Sequence, residues 1–216
     1  MLSAILFDLD GTLTNTDPLH FATWQEVLAE LGLSIDRTFY DQRISGRLNS
    51  AIVQDILPKL KPEAGMQVAD DKERRFRQQS HQLQPLPGLA ELLQWVASRQ
   101  LKQAVVTNAP RANAQFMLEA LQLTAAFPTV VLAEEAAQGK PDPAPYQLAL
   151  SRLGVTCEEA IAFEDSPSGV RSAVGAGLST IGVASTHVPT HLQDAGAAMV
   201  ITDFTEPKLW EWLAKL

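Results

Sequence analysis

The first residues of the chain constrain its fold most strongly. A short apolar run at residues 5–7 leads directly into Asp8 and Asp10, and Gly11 and Thr12 follow. This pattern predicts a buried strand that ends where the first carboxylate begins. Because ligands of an open parallel sheet bind beyond the carboxyl ends of its strands, both carboxylates are expected at a functional edge.

The spacing of Asp8 and Asp10 points to chemistry as well. Side chains two residues apart on extended backbone lean to the same side. Two carboxylates held close together are stable as anions only with a cation or a proton between them, which indicates a hard metal ion or an acid/base pair. A strand followed by a plain Asp-Gly turn is the competing interpretation, and it is the commoner one for these residues alone.

After residue 86, helix and strand patterns alternate along the chain. Strands are predicted at residues 103–107, 129–132, 160–163, 180–183 and 198–201. Helical patterns lie between them, and a last one follows at residues 206–216. Such alternation predicts an α/β fold with a Rossmann-like parallel sheet that is covered on both faces.

Residues 15–86 show helical patterns only. The predicted helices cover residues 16–31, 35–42, 50–60 and 67–82. An all-helical stretch between two strand motifs predicts an inserted cap domain at residues 15–86 and a core domain formed by residues 1–14 and 87–216. In the last helix, residues such as Asp71 and Arg75 are spaced for ion pairs on an exposed face.

Polar residues close several of the predicted strands. They are Asp8, Thr107, Glu134 or Glu135, and Glu164 with Asp165. Because parallel strands run in one direction, all of these residues are expected at the same edge of the sheet.

The composition narrows the class of partner. A formal net charge of -8 argues against a nucleic-acid surface, because phosphate backbones are bound by broad positive patches. The single cysteine, Cys157, excludes an internal disulfide and fits a reducing compartment. Residues 1–7 lack the pattern of a signal peptide. The uncharged stretch 172–193 contains Gly, His and Pro, which a membrane helix would rarely tolerate together. We expect a cytoplasmic protein with a small-molecule partner, and neither a nucleic-acid nor a membrane partner. The sequence favours a monomer without fixing the oligomeric state.

The segment Asp8-Leu9-Asp10-Gly11-Thr12 resembles the first motif of the haloacid dehalogenase-like (HAD) superfamily. Three further segments match the remaining motifs of that family in the right order: Val105 to Asn108, Gly139 to Pro143, and Phe163 to Ser166 with Gly169. The helical insert resembles the cap of the β-phosphoglucomutase-like branch, which includes sugar phosphatases. Four ordered matches are far more specific than any one of them, and they imply the HAD fold.

The resemblance also implies a mechanism. Asp8 would be the nucleophile that forms an aspartyl-phosphate, and Asp10 the general acid and base. Thr107 and the backbone amide of Asn108 would donate to phosphate oxygens. Lys140 would supply the positive charge without which the carboxylates and the phosphate would repel each other.

The same resemblance implies a Mg²⁺ cofactor. Its expected ligands are the Asp8 carboxylate, the Asp10 backbone carbonyl and Asp165, with Glu164 either a direct ligand or a neighbour of the ligands. Mg²⁺ prefers hard oxygen ligands of this kind.

Three residues of the insert, His20, Trp24 and Arg47, are implied to face the substrate. His20 and Trp24 share one helix face because they are four residues apart. Packing in the core of the cap is an equally good interpretation for Trp24. Arg47 follows Gly46 in an irregular segment.

Two departures from the mutases of this branch favour hydrolysis of a monophosphate. The arginine that holds the second phosphate in the mutases would match Asn49 or its neighbours, whereas here the nearest arginine is Arg47. The segment from Asn108 to Arg111 also lacks the lysine of the mutases, although Arg111 remains a candidate contact for a substrate phosphate.

The leading hypothesis is therefore a Mg²⁺-dependent phosphatase of a small phosphorylated metabolite, a sugar phosphate by class. A sugar-phosphate mutase is the alternative, and it would need a bisphosphate primer. A phospho-accepting signalling domain is less favoured, because such domains lack a helical insert and a carboxylate like Asp10. A dehalogenase is also disfavoured, because that chemistry works without an acid at the position of Asp10.

Overall fold

The computed structural model describes residues 1–79 and 83–216 of the chain. The chain divides into two compact units, one formed by Met1–Asn15 with Leu83–Leu216 and the other by Thr16–Gln82. The sequence patterns predicted these boundaries after residues 14 and 86. Residues 80–82, at the end of the predicted helix 67–82, lie outside the described residues.

The larger unit is built on a parallel sheet, to which the described residues contribute six strands. The strands are β1 (Ala4–Phe7), β2 (Lys102–Thr107), β3 (Thr129–Leu132), β4 (Ala160–Glu164), β5 (Ser179–Val183) and β6 (Met199–Ile201). They lie in the order β3-β2-β1-β4-β5-β6. Along the chain, β2 and β3 are added on one side of β1, and β4, β5 and β6 on its other side, so the order of the strands reverses at β1. Doubly wound folds bind their ligands at such a switch point.

Helices follow most of the strands, as the alternation of patterns predicted. The helices of the smaller unit are α1 (Asp17–Glu30), α2 (Arg37–Arg43), α3 (Asn49–Ile56) and α4 (Pro62–Arg77). Those of the larger unit are α5 (Leu89–Ser98), α6 (Arg111–Ala120), α7 (Ala144–Leu153), α8 (Pro167–Gly175), α9 (Pro189–Asp194) and α10 (Pro207–Leu213). The predicted α/β class with a parallel sheet is confirmed.

All four residues of the central strand β1 are buried. Since successive side chains of a strand point to opposite sides of the sheet, β1 is covered on both of its faces. Leu6 packs on one side in an apolar cluster that includes Tyr146 and Leu150 of α7. On the other side the rings of Phe7 and Phe163 stack with their centroids 5.3 Å apart. A strand covered in this way is rigid, so the residues that follow it are held in fixed positions.

The smaller unit has an apolar core of its own. Its helices contribute Trp24 and Leu28 from α1, Tyr40 from α2, Ile52 and Val53 from α3, and Ala69 from α4. Helix α4 begins at Pro62, earlier than the predicted start at residue 67. Proline fits the first turn of a helix because the amide hydrogen that it lacks has no partner there.

One prediction for α4 is wrong in part. Asp71 and Arg75 form the predicted ion pair, with 2.7 Å between Oδ2 and Nη2. Lys72 and Glu73, however, are buried, with only 2% and 6% of their surfaces exposed. The oxygen Oε1 of Glu73 accepts hydrogen bonds from Lys72 at 3.0 Å and from Asn49 at 2.8 Å, so the polar residues of α4 do not form a single solvated face.

No helix in the described part of the chain has the length and apolar character needed to cross a bilayer.

Replacing Gly88 with alanine is expected to destabilise the larger unit by more than about 3 kcal/mol. Gly88 has a left-handed φ of +79°, and an added Cβ would lie 2.5 Å from the carbonyl carbon of Phe204. Both the backbone strain and this overlap act against the folded state. The free energy of unfolding, measured in urea, tests the expectation.

Gly154→Ala is the matched control, because Gly154 also has a left-handed φ, of +63°, but has only the end of a lysine side chain near its Cβ position. It should cost about 1 kcal/mol, the strain alone. Equal losses in the two variants would contradict the role assigned to the Gly88–Phe204 contact.

Candidate active site

The ammonium group of Lys140 joins the parts of the candidate site. Its nitrogen donates to Oδ1 of Asp8 at 2.6 Å, to Oε1 of Glu164 at 2.5 Å and to the carbonyl oxygen of Val106 at 2.7 Å. These bonds use all three of its protons. Val106 belongs to β2, Asp8 follows β1 and Glu164 ends β4, so one side chain connects three adjacent strands at their carboxyl ends.

The side chain of Asn108 holds the backbone of Lys140. Its Oδ1 accepts from the amide of Lys140 at 3.0 Å, and its Nδ2 donates to the carbonyl oxygen of Lys140 at 3.2 Å. Gly139 permits this approach, since a Cβ there would lie 3.0 Å from Oδ1 of Asn108 and 3.1 Å from Cβ of Ala133. The backbone amide of Asn108 was predicted to bind phosphate, and this second role of its side chain was not predicted.

Three buried carboxylates gather at the same edge. Asp8, Glu164 and Asp165 each offer an oxygen within 4.8 Å of the others, which makes them the cluster suited to a metal ion among the described residues. With every group ionised, three carboxylates and the Lys140 ammonium leave an excess of two negative charges. A divalent cation would balance that excess.

The pKa values of the cluster reflect this imbalance. Burial, together with the charges of Glu164 and Asp10, raises the pKa of Asp8 to about 8 although Lys140 lowers it. Burial and the charges of Asp8 and Glu164 raise the pKa of Asp165 well above its usual value. For Lys140, burial lowers the pKa, but the neighbouring carboxylates outweigh burial and leave it above its usual value, so this side chain stays charged.

Glu164 is surrounded by groups that fix its orientation. Besides the bond from Lys140, its Oε1 accepts from the hydroxyl of Tyr146 at 2.9 Å. A Cβ on Gly169 of α8 would overlap the Glu164 carboxylate. These contacts favour the interpretation of Glu164 as a neighbour that orients Lys140 over that of a freely placed metal ligand.

Thr107 and Asp10 lie at the ends of the same central strands. Thr107 is the last residue of β2 and is buried, and its hydroxyl oxygen accepts from the amide of Ala109 at 2.9 Å. Asp10 lies in the turn after β1, where the amide of Gly11 donates to the carbonyl oxygen of Thr14 at 2.7 Å. The negative charge of Asp10 contributes to the raised pKa of Asp8.

Arg111 lies at the start of α6, and carboxylates surround its guanidinium group. Nε is 3.1 Å from Oε1 of Glu134, and Nη2 is 3.0 Å from Oε1 of Glu135. Glu135 also accepts from Arg152 at 3.1 Å. The positive charge that was predicted to meet a substrate phosphate is therefore offset by two acidic side chains that follow β3.

The predicted substrate-facing residues of the insert lie in the smaller unit. Trp24 is 1% exposed and belongs to the core of that unit, which agrees with the packing interpretation. His20 stacks on Phe76, and its Nδ1 lies 2.5 Å from Nζ of Lys72. Arg47 forms an ion pair with Asp55, with 2.8 Å between Nη1 and Oδ2, and it also donates to the carbonyl oxygen of Arg43.

The chain is similar to known proteins over most of its length. A model of the haloacid dehalogenase-like hydrolase family matches residues 5–183. The phosphorylated carbohydrates phosphatase of Thermotoga maritima is 33% identical over 189 residues, which are 83% of this chain and 84% of that protein. This chain belongs to the haloacid dehalogenase-like hydrolase family. The predicted resemblance, the HAD fold and the prediction of a hydrolase of this family are confirmed.

Two further relatives of the HAD hydrolase are informative. The crystal structure of CbbY from Rhodobacter sphaeroides in complex with xylulose-(1,5)-bisphosphate shares 30% identity and a TM-score of 0.83, over 95% of this chain and 96% of that one. The β-phosphoglucomutase of Bacillus subtilis is 27% identical over 191 residues, which are 84% of this chain and 83% of that protein. A phosphatase and a mutase are thus both similar to this HAD hydrolase.

Two side chains that contact the carboxylates of this HAD hydrolase were not predicted from the sequence, namely Tyr146 and Thr186. The hydroxyl of Thr186 donates to Oδ2 of Asp165. A signal for Thr186 was available: the polar run at residues 185–187 follows the apolar strand β5, at the edge where the other strands end in polar residues. Tyr146 gave a weaker signal, because an aromatic residue in the first turn of a helix is usually core packing.

In the absence of metal, the HAD hydrolase is expected to lose stability as pH rises from about 5 to about 8. The pKa of Asp8 is about 8 in the folded state and 3.8 as a usual value, so the folded protein keeps a proton that the unfolded chain has lost in this range. A divalent cation held by this cluster would compete with that proton and should stabilise the protein more at pH 8 than at pH 5. Thermal unfolding in EDTA and in Mg²⁺ across this range measures both effects.

Asp8→Asn is the matched variant because it removes one titrating carboxylate and keeps the shape of the side chain. Both pH dependences should be flatter in this variant. Identical slopes in the two proteins would contradict the raised pKa of Asp8.

Proposed function

We propose that this HAD hydrolase is a Mg²⁺-dependent phosphatase that hydrolyses a small phosphomonoester through an aspartyl-phosphate on Asp8. The observation that carries the proposal is the Lys140 ammonium group, which is bound to Asp8 and Glu164 within a cluster of buried carboxylates. A permanent positive charge beside a carboxylate allows that carboxylate to approach a phosphate dianion.

The proposed reaction has two steps, and the residues of the chain divide the work. In the first step the Asp8 carboxylate attacks phosphorus while the Asp10 carboxylic acid gives its proton to the leaving ester oxygen. In the second step Asp10, now a carboxylate, takes a proton from the water that attacks the aspartyl-phosphate. Phosphate leaves, and both carboxyl groups return to their starting states.

The hydroxyl of Thr107 and the backbone amide of Asn108 are proposed to donate to the phosphoryl oxygens, and Lys140 contributes the fixed positive charge beside them. Such donors stabilise the charge of a phosphoryl group mainly by their fixed positions. The side chain of Asn108 contributes further, because it fixes the backbone of Lys140.

The donor set fits Mg²⁺, since Asp8, Asp165 and the Asp10 carbonyl offer hard oxygens and the cluster carries excess negative charge. When bound there, Mg²⁺ neutralises negative charge on the carboxylates and on the phosphoryl group. Glu164 is proposed as a supporting neighbour, because Lys140 and Tyr146 already bind its Oε1.

A sugar phosphate is the proposed substrate class, in line with the name of the Thermotoga maritima relative. The smaller unit is proposed to serve as a cap that selects the substrate, with His20 and Arg47 as candidate contacts and Trp24 as a packing residue. A cytoplasmic location and a monomeric state remain predictions from the sequence.

A sugar-phosphate mutase is the second candidate, favoured by the likeness to β-phosphoglucomutase. A mutase must hold a second, non-reacting phosphate. Arg111 is the cation nearest in sequence to the phosphate-binding segment, and the charges of Glu134 and Glu135 offset its own. This arrangement favours hydrolysis of a monophosphate over transfer between two phosphorylated positions.

Phosphate release from a panel of phosphomonoesters in Mg²⁺ tests the main proposal. Asp8→Asn should lower kcat by at least about 10³-fold, because the amide is not a nucleophile. Asp194→Asn, the same change at an exposed position, should leave kcat as in the wild type. Full activity in Asp8→Asn, or in excess EDTA, would contradict the nucleophile or the metal respectively. Turnover that requires a sugar bisphosphate and releases little phosphate would identify a mutase.

A separate variant tests the role of the ion pairs around Arg111. Glu134→Gln removes one of the two charges that offset Arg111, and kcat/KM for a sugar bisphosphate should rise about threefold relative to the corresponding monophosphate. Stability should change little because exposed ion pairs contribute about 0–1 kcal/mol. Glu211→Gln, an exposed change on α10, should leave the ratio unchanged, and an unchanged ratio in Glu134→Gln would count against the offset.

A further inference from the structure

The loop that follows β5 reaches the candidate site from a strand that sequence analysis did not assign to it. Strand β5 lies next to β4, so its carboxyl end is beside Asp165. The hydroxyl of Ser185 donates to the carbonyl oxygen of Gly11, and the hydroxyl of Thr186 donates to Oδ2 of Asp165. Two successive residues of this loop thus bind two different motifs of the site.

The hydroxyl group of Thr186 contacts both Asp165 and His187, and it has only one hydrogen to donate. Its hydroxyl oxygen lies 2.8 Å from Nδ1 of His187. A hydroxyl carries one proton, and an ionised carboxylate can only accept. With Asp165 ionised, as a metal ligand must be, the Thr186 hydroxyl donates to Asp165 and accepts from Nδ1 of His187 in the tautomer that carries a hydrogen there, which orients the hydroxyl towards the carboxylate.

Packing fixes the other half of the Thr186 side chain. Gly11 has a left-handed φ of +82°, and a Cβ there would overlap the Asp165 carboxylate and lie 3.0 Å from Cγ2 of Thr186. The turn after β1, the Asp165 carboxylate and the methyl group of Thr186 are therefore in direct contact.

We propose that Thr186 is a positioning residue of the metal site, which holds the Asp165 carboxylate in the orientation that binds the divalent cation. The inference rests on the proposed Mg²⁺ dependence and adds a residue of the β5 loop to it. Groups that orient metal ligands through hydrogen bonds typically change metal affinity by about 10- to 100-fold when they are removed. The hydrogen bond from Thr186 also favours the ionised form of the Asp165 carboxylate, which burial and the negative charges of Asp8 and Glu164 oppose.

The test is calorimetric titration of Mg²⁺ alone into the metal-free protein. Thr186→Val keeps the shape of the side chain and removes the hydroxyl, and it should raise the Kd for Mg²⁺ at least about tenfold. Thr186→Ser restores the hydroxyl and should bind Mg²⁺ within about threefold of the wild type. A cooperative thermal transition in EDTA should show that all three metal-free proteins are folded. A Thr186→Val protein that binds Mg²⁺ as tightly as the wild type would overturn the inference.

Ser185→Ala is the matched control within the loop, because Ser185 binds the Gly11 carbonyl oxygen and not a carboxylate. A loss of Mg²⁺ affinity in Ser185→Ala equal to that in Thr186→Val would show a general effect of the loop and overturn the specific role. Thr186→Ala, which adds no new group, provides the same measurement if Thr186→Val does not fold. A wild-type protein that does not bind Mg²⁺ overturns both this inference and the proposed metal dependence, whereas wild-type binding that survives the loss of the hydroxyl overturns the inference alone.

Discussion

A buried lysine surrounded by carboxylates is the constraint on which the rest of the site depends. Burying a charge is costly unless it is paired and hydrogen-bonded, and Lys140 meets this condition with Asp8, Glu164 and the Val106 carbonyl oxygen. Because these partners come from three adjacent strands, the ammonium group can be satisfied only when the sheet is correctly assembled. The same bonds leave Asp8 beside a permanent positive charge, which supports the role of nucleophile proposed for it.

Around this centre, each charged group is oriented by a neighbour from a different part of the chain. Asn108 holds the backbone of Lys140, Tyr146 donates to Glu164, and Thr186 donates to Asp165. Side chains held in this way lose little freedom when a ligand binds, so their geometry is set before the substrate arrives. The excess of negative charge that remains is the feature best matched to a divalent cation.

Much of this organisation could be predicted, because it depends on patterns within short segments. The apolar run before Asp8 and the alternation after residue 86 specify a parallel sheet, and a common strand direction brings Thr107, Glu164 and Asp165 to one edge. The start of α4 at Pro62 was missed because proline is a signal both for ending a helix and for beginning one. Buried Lys72 was missed because a charged helix residue is usually exposed.

The sequence by itself determined the fold class, the order of the motifs, the edge of the sheet where they meet and the family. These features depend on local periodicity and on spacing along the chain, which a single sequence displays. Only the tertiary structure decided that Lys140 bonds to both Asp8 and Glu164, that Asn108 supports Lys140 through its side chain, and that carboxylates offset Arg111. Such partners lie tens of residues apart, and their distances and burial exist only once the strands are packed together.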